Sequence, residues 1–113
     1  MTERTETIRV CTLDEVFPDR SGNVLLKIDT QGYEKQVLEG GRRLLPRLKG
    51  VLLELPIIRI YEGTWKFHEA VEFMASIGFV PAQIEPVSYH TKDTVSLVEA
   101  DCLFRPRERQ LDC

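Results

Sequence analysis

Eleven consecutive residues, Val24 to Glu34 (Val-Leu-Leu-Lys-Ile-Asp-Thr-Gln-Gly-Tyr-Glu), narrow the folds open to this chain more than any other feature. Val24 to Ile28 is an apolar run interrupted only by Lys27, the pattern of a central strand buried on both faces of a parallel sheet. Beyond it the chain turns polar. Asp29 ends the run, Gly32 permits a backbone turn barred to residues with a Cβ, and a helical pattern begins at Tyr33 or Glu34. The stretch therefore reads as strand, loop and helix. In open α/β sheets ligands are handled at the carboxyl ends of the strands, which marks Asp29, Gln31 and Glu34 as candidate site residues.

The remaining segments arrange themselves around that crossover. Met1 to Glu6 is polar and expected to fray, while Thr7 to Cys11 alternates enough for one short strand or extended segment. Thr12 and Glu15 stand at capping-box spacing, and Val16 and Phe17 give a short helix something to bury before Pro18 stops it. Asp19 to Asn23 reads as a turn. A helix is predicted from Glu34 to about Leu45, with Val37, Leu38, Leu44, Leu45 and Leu48 on one face. Gly40 and Gly41 interrupt it; each costs about 1 kcal/mol relative to alanine in a helix interior, so they are expected to mark a close approach to the sheet. Pro46 should kink or end the element.

Gly50 introduces a second buried run, Val51 to Leu55, predicted to be a second parallel strand with Glu54 at its end. Ile57 to Gly63 either prolongs that strand or forms the loop above it. Phe67, Ala70, Val71, Met74 and Ile77 recur at helical spacing, with Gly78 as the stop. Phe79 to Val87 alternates, but Pro81 and Pro86 lack amide donors and confine the strand to a sheet edge. Tyr89 to Thr94 is a polar turn, after which Leu97 to Phe104 completes an antiparallel hairpin with Val98, Ala100, Cys102 and Phe104 on one face. The expected order is β-α-β-α-β-β: an α/β fold with two parallel strands and a C-terminal antiparallel hairpin.

With 113 residues the chain is read as a single domain, residues 1–113, at a size where only about two thirds of the unfolded surface can be buried. A net charge of −3 gives no broad positive field for nucleic acid or a membrane surface. The three cysteines, Cys11, Cys102 and Cys113, contain no CxxC pair, which argues against a disulfide framework or structural zinc and fits a reducing cytoplasm. No apolar segment approaches the roughly 18 residues of a membrane span, and Met1 to Thr7 lacks the pattern of a signal sequence. A cytoplasmic protein is the expectation.

Asp29 and Glu54 end two successive parallel strands, so both carboxylates are expected at one rim of the sheet. There they could hold a divalent metal or take a proton from a substrate hydroxyl; equally, each could cap a helix or bond loop amides. Glu34, in a first helical turn, has a plainer role available in favouring the helix dipole. Lys27 is read as a side chain snorkelling out of its strand. His68 and His90 do not form a metal-binding pair. Tyr61, Trp65 and Phe67 surround Gly63, where they would either wall a substrate pocket or anchor the following helix. Gly32, Gly40 and Gly41 form neither GxGxxG nor a P-loop.

The order of these motifs resembles one family. Val10-Cys-Thr-Leu-Asp14, Leu25-Leu-Lys-Ile-Asp-Thr-Gln-Gly-Tyr-Glu34, Val37-Leu-Glu-Gly40, Leu52-Leu-Glu54, Gly78-Phe79 and Asp101-Cys-Leu-Phe104 are similar to the C-terminal half of FkbM-type methyltransferases. The resemblance implies a class I, Rossmann-like sheet and methyl transfer from S-adenosylmethionine to an oxygen of a sugar, polyketide or other small metabolite. It also implies that Asp29, Gln31 and Glu34 form the signature loop, with Glu54 ending the next strand. On this reading Asp29, Glu54 and Glu34 are the catalytic candidates, Gln31, Tyr61 and Trp65 the substrate-binding ones, and Asp29 with Glu54 the metal option. The four strands would be the family's strands four to seven, in spatial order four, five, seven, six. The family's glycine-rich cofactor loop precedes this stretch and is not found here, so the chain alone is expected to be inactive. The edge of Val24 to Ile28 would then be open to Thr7 to Cys11, a second chain or a homodimer partner. The other expectation is a non-catalytic α/β interaction or dimerisation module that uses this edge for strand addition.

Overall fold

The computed structural model describes residues 5–17, 24–30, 32–58 and 63–107. Eight elements follow one another: α1 (Leu13–Val16), β1 (Leu25–Ile28), α2 (Glu34–Glu39), a 3-10 turn (Leu45–Arg47), β2 (Gly50–Pro56), α3 (Phe67–Ser76), β3 (Phe79–Tyr89) and β4 (Leu97–Pro106). The strands form one mixed sheet in the order β1-β2-β4-β3, with β1 and β2 parallel and the other pairs antiparallel. This is the order expected from the resemblance.

Alternation along β2 and β4 decides how the sheet is covered. Val51, Leu53 and Leu55 are fully buried, as are Ala100, Cys102 and Phe104 opposite them, while the intervening residues are only half-buried. The buried set packs under Leu38, Leu44, Leu45 and Leu48 and under Ala70 and Met74 of α3. Burying each large apolar side chain contributes roughly 1.5–3 kcal/mol, so this one-sided core supplies most of the stabilisation. The opposite face carries Lys27, Leu52, Glu54, Glu99, Asp101 and Leu103, and no helix of the described residues covers it.

β1 departs from the expected central strand. Among the described residues it pairs on one side only, with β2, and of its four residues only Ile28 is buried; Leu25 is 57% exposed. Its apolar run reflects the one covered face and a strand edge that has no partner here. β3 does lie at the other edge, where prolines are tolerated, and its pairing with β4 shifts register at Pro81/Gln83, Pro86/Ser88 and Ser88/Tyr89. Residues 7–11 form no strand, and Ile8 and Val10 are exposed. The polar turn before β4 is held by Asp93, whose carboxylate accepts from Val95 N, Ser96 N and the Ser96 hydroxyl and sits near a pKa of 2 because of those bonds.

The predicted helix from Glu34 to Leu45 is shorter than expected, and the reason lies in α1. Thr12 caps α1, its hydroxyl accepting from Glu15 N at 3.2 Å as the capping-box spacing requires. Asp14 N donates to Gly40 O at 3.0 Å, and the Asp14 carboxylate accepts from Arg43 N and Leu44 N at 3.1 and 2.8 Å. These bonds satisfy backbone groups that a continuing helix would have used, so α2 stops at Glu39 and the chain runs on to the 3-10 turn, which includes Pro46. Gly40 and Gly41 accordingly mark a close approach to α1 and not to the sheet: a Cβ on them would lie 3.1 Å from Thr12 Cβ and 3.0 Å from Leu13 Cδ1. Val16 and Phe17 were expected to be buried by α1 but are 54% and 40% exposed; α1 packs on the core through Leu13 alone. β2 ends at Pro56 and is not prolonged by Ile57 and Ile58; residues 59–62 lie outside the described ones.

α3 matches its expectation closely. It runs from Phe67 to Ser76, buries Ala70 and Met74, and is closed by Gly78 at φ +90°, whose carbonyl accepts from Arg107 N at 2.7 Å. None of the helices among the described residues is long and apolar enough to cross a membrane.

Candidate active site

Ile28 and Leu53 are register partners in the parallel pair, so the next residues along, Asp29 and Glu54, stand abreast at the carboxyl ends of β1 and β2. β4 adds to this rim. Glu54 is paired with Asp101, Asp101 with Glu85 of β3, and Pro56 with Glu99. Because side chains alternate along each strand, Glu54, Asp101 and Glu99 share the uncovered face. Like charges opposed across strands destabilise a sheet unless one of them takes up a proton. Glu54 does so: a hydrogen bond with the Glu99 side chain, partial burial, and the charges of Glu99, Asp29 and Asp101 raise its pKa to about 7.

The loop after β1 is organised around Glu34. This carboxylate is 3% exposed and accepts from Thr30 N at 3.0 Å, from the Thr30 hydroxyl, and from Gly32 N at 3.1 and 3.2 Å. Thr30 Oγ1 in turn accepts from Tyr33 N at 3.2 Å. Glu34 thus closes the loop upon itself and fixes where Asp29 leaves the strand. Gly32 has φ +110°, and a Cβ there would lie 2.8 Å from Thr64 Cγ2, which brings the 63–66 segment against this loop. Trp65, at the end of that segment, is buried and meets Phe73 edge-on at 5.8 Å, while the Arg42 guanidinium lies 5.2 Å from the same Phe73 ring.

Of the residues expected at the site, Asp29 and Glu54 are brought together, Glu34 underlies the loop beside them, and Trp65 lies in the neighbouring wall. Gln31 and Tyr61 fall outside the described residues. Glu99 and Asp101 had not been singled out; their signal is the alternation from Leu97 to Phe104, which puts odd positions on the face opposite the core. Only the register then shows that they meet Glu54. Cys102 is buried, and burial pushes its thiol up to about 11, so it is no nucleophile at neutral pH.

Two cofactor questions can be put to these residues. Of the described glycines, Gly32 is filled by Thr64, Gly40 and Gly41 by α1, and Gly50 by Leu25 Cδ1 at 2.7 Å, while a Cβ at Gly63 or Gly78 would meet nothing within 4 Å. Among the described residues no glycine-rich turn from a strand into a helix forms a backbone cradle of the kind that holds S-adenosylmethionine. Among the described residues no three His, Cys, Asp or Glu side chains are arranged to hold a metal ion.

In α/β sheets of this kind ligands are commonly handled at the carboxyl ends of the strands, which is where Asp29 and Glu54 stand. The family model described as "Methyltransferase FkbM domain" matches residues 1–81, from α1 through the start of β3, and the chain belongs to this methyltransferase family. No curated protein and no solved structure matches the chain.

Proposed function

We propose that this chain carries the acceptor side of an S-adenosylmethionine-dependent O-methyltransferase acting on a small metabolite or sugar, on a class I, Rossmann-like sheet. The observation that carries the reading is the alignment of Asp29 with Glu54 at the ends of β1 and β2, within the part of the chain that matches the family. The methyl donor is held by residues other than those described, and the chemistry derived for these residues concerns the acceptor alone. An acceptor hydroxyl donates its hydrogen bond to the Asp29 carboxylate, which orients the oxygen and takes its proton as the oxygen becomes nucleophilic. Glu54, whose proton is held in its bond with Glu99 up to about pH 7, stands neutral beside the acceptor below that pH and is a second base above it. Glu34 is a positioning residue, acting on Asp29 through the loop.

In a parent enzyme that joins this segment to a glycine-rich cofactor loop, Asp29→Asn should lower turnover by about 10²–10⁴-fold and leave donor affinity within about twofold. Equal losses in both would reject the role of Asp29 at the acceptor. For the chain by itself, saturating S-adenosylmethionine should leave the melting temperature unchanged, because a ligand with no site on the folded form cannot stabilise it. A clear rise would move the cofactor site onto these residues. The outer edge of β1, unpaired among the described residues, favours a second reading in which strand addition by another chain is the function. Concentration-independent monomer in sedimentation would remove a second copy as that chain.

A further inference from the structure

A cleft of about 410 Å³ opens between the first turn of α2 and the first turn of α3, close to the rim but formed by different side chains. Its wall carries Lys35, Lys66, Trp65 and Glu69. In a chain of net charge −3 this is an unusual concentration of positive charge, and neither ammonium is within ion-pair distance of a carboxylate among the described residues. The one acid there is already engaged: Glu69 Oε1 accepts from Lys66 N at 2.8 Å. That bond, with the charges of His68, Lys66 and Lys35, holds the Glu69 carboxyl below its ordinary value, so it stays a fixed anion among surplus cations.

The second observation is independent of charge. Trp65 is 7% exposed, and its indole N–H is buried without any hydrogen-bond acceptor. A buried donor left unmade costs about 1–3 kcal/mol, and native proteins leave few of them. α3, ten residues long, begins at this cleft, with its N-cap Lys66 and its first-turn Glu69 in the lining. Two ammonium groups and an indole N–H are all donors, and what they lack in common is an anionic oxygen.

We propose that this cleft holds the anionic group, a carboxylate or a phosphate, of the molecule that is methylated, with Lys35 and Lys66 supplying charge and Trp65 an N–H donor. The term "methylated" rests on the function proposed above; the anion site does not. Gly32, in the cleft wall, is three residues beyond Asp29, a span of at most about 11 Å. A hydroxyl at Asp29 and an anion in the cleft therefore fit on one small acceptor, such as a sugar acid or a sugar phosphate.

The chain has a single tryptophan, so its indole N–H gives one unambiguous resonance in a ¹⁵N-labelled sample. Titration at constant ionic strength with glucuronate, glucose 1-phosphate and glucose is expected to shift that resonance saturably with one or both anions and not with glucose. Whichever anion acts identifies the group. Lys35→Gln combined with Lys66→Gln should weaken binding at least tenfold while the amide spectrum stays dispersed, and Lys92→Gln, which is not in the cleft lining, should have no effect. Trp65→Phe, followed through the Gly32 amide, should weaken binding severalfold. No indole shift with either anion, an equal shift with glucose, or binding that survives the double substitution would each overturn the proposal. The titration contains no methyl donor, so the two readings fail separately. Anion binding beside an Asp29→Asn parent of full activity removes the role of Asp29 at the acceptor and leaves the site, and the reverse pattern removes the site alone.

Discussion

Two glutamates near the same rim are treated in opposite ways. Glu34 is buried more completely than Glu54, yet its surroundings are all donors: two backbone amides and a hydroxyl converge on its carboxylate. Glu54 is only half-buried, but its neighbours are Glu99, Asp29 and Asp101, and it holds a proton up to about pH 7. Depth does not decide whether a carboxylate is comfortable; the sign of what faces it does. The first glutamate is used as a fixed acceptor that shapes a loop. The second is left in a frustrated cluster of the kind that proteins tolerate where a proton or a ligand is to be exchanged.

The largest effect that would break this contrast is expected at Glu34. Glu34→Ala leaves the part-buried Thr30 and Gly32 amides without their acceptor and should lower stability by about 1–2 kcal/mol in urea unfolding. Glu34→Gln, which keeps one carbonyl oxygen for them, should recover more than half of that loss. If alanine costs under about 0.5 kcal/mol, the loop is held by Gly32 and Thr64 instead, and Glu34 loses its place as the organiser of the rim.

How much of this was legible in the sequence follows from the range of each interaction. Local signals survived: the Thr12 cap, the apolar spacing of α3 with Gly78 as its stop, and the proline-bearing edge strand are all set by residues within a turn or two of one another. The alignment of Asp29 with Glu54 was also readable, because parallel strands joined by a crossover end on the same side. What failed was long-range. The break after Glu39 depends on Asp14, more than twenty residues earlier, reaching Arg43 and Leu44. β1 reads as central because an apolar run does not reveal whether a neighbour is present on its outer side. The carboxylates of β4 joined Glu54 only through a register that alternation alone does not fix. The cations around Trp65 were missed for a related reason: Lys35 and Lys66 look like ordinary solvated helix residues until the loops after β1 and β2 are set side by side.

A smaller effect sharpens the contrast from the Glu54 side. Its pKa is raised from 4.5 to about 7 on folding, so between those values the folded state binds more protons than the unfolded one. Stability then falls as pH rises through that window; the contribution is fully present below about 4.5 and gone above about 7. Glutamine imitates the protonated side chain at every pH. Glu54→Gln should therefore match the wild type near pH 4 and exceed it at pH 8, by on the order of 1 kcal/mol once solvent screening is allowed for. That corresponds to a melting temperature higher by roughly 4–8 °C for a chain of this size. Taking the difference between the two proteins cancels every other group that titrates over the same range. Parallel curves from pH 4 to 8 would mean that the four carboxylates do not interact, and the rim would lose the feature that sets Glu54 apart from Glu34. A gap that opens at pH 8 and closes in Glu99→Gln as well would assign the shared proton to the Glu54 and Glu99 pair and leave Asp29 as the carboxylate free to meet an acceptor.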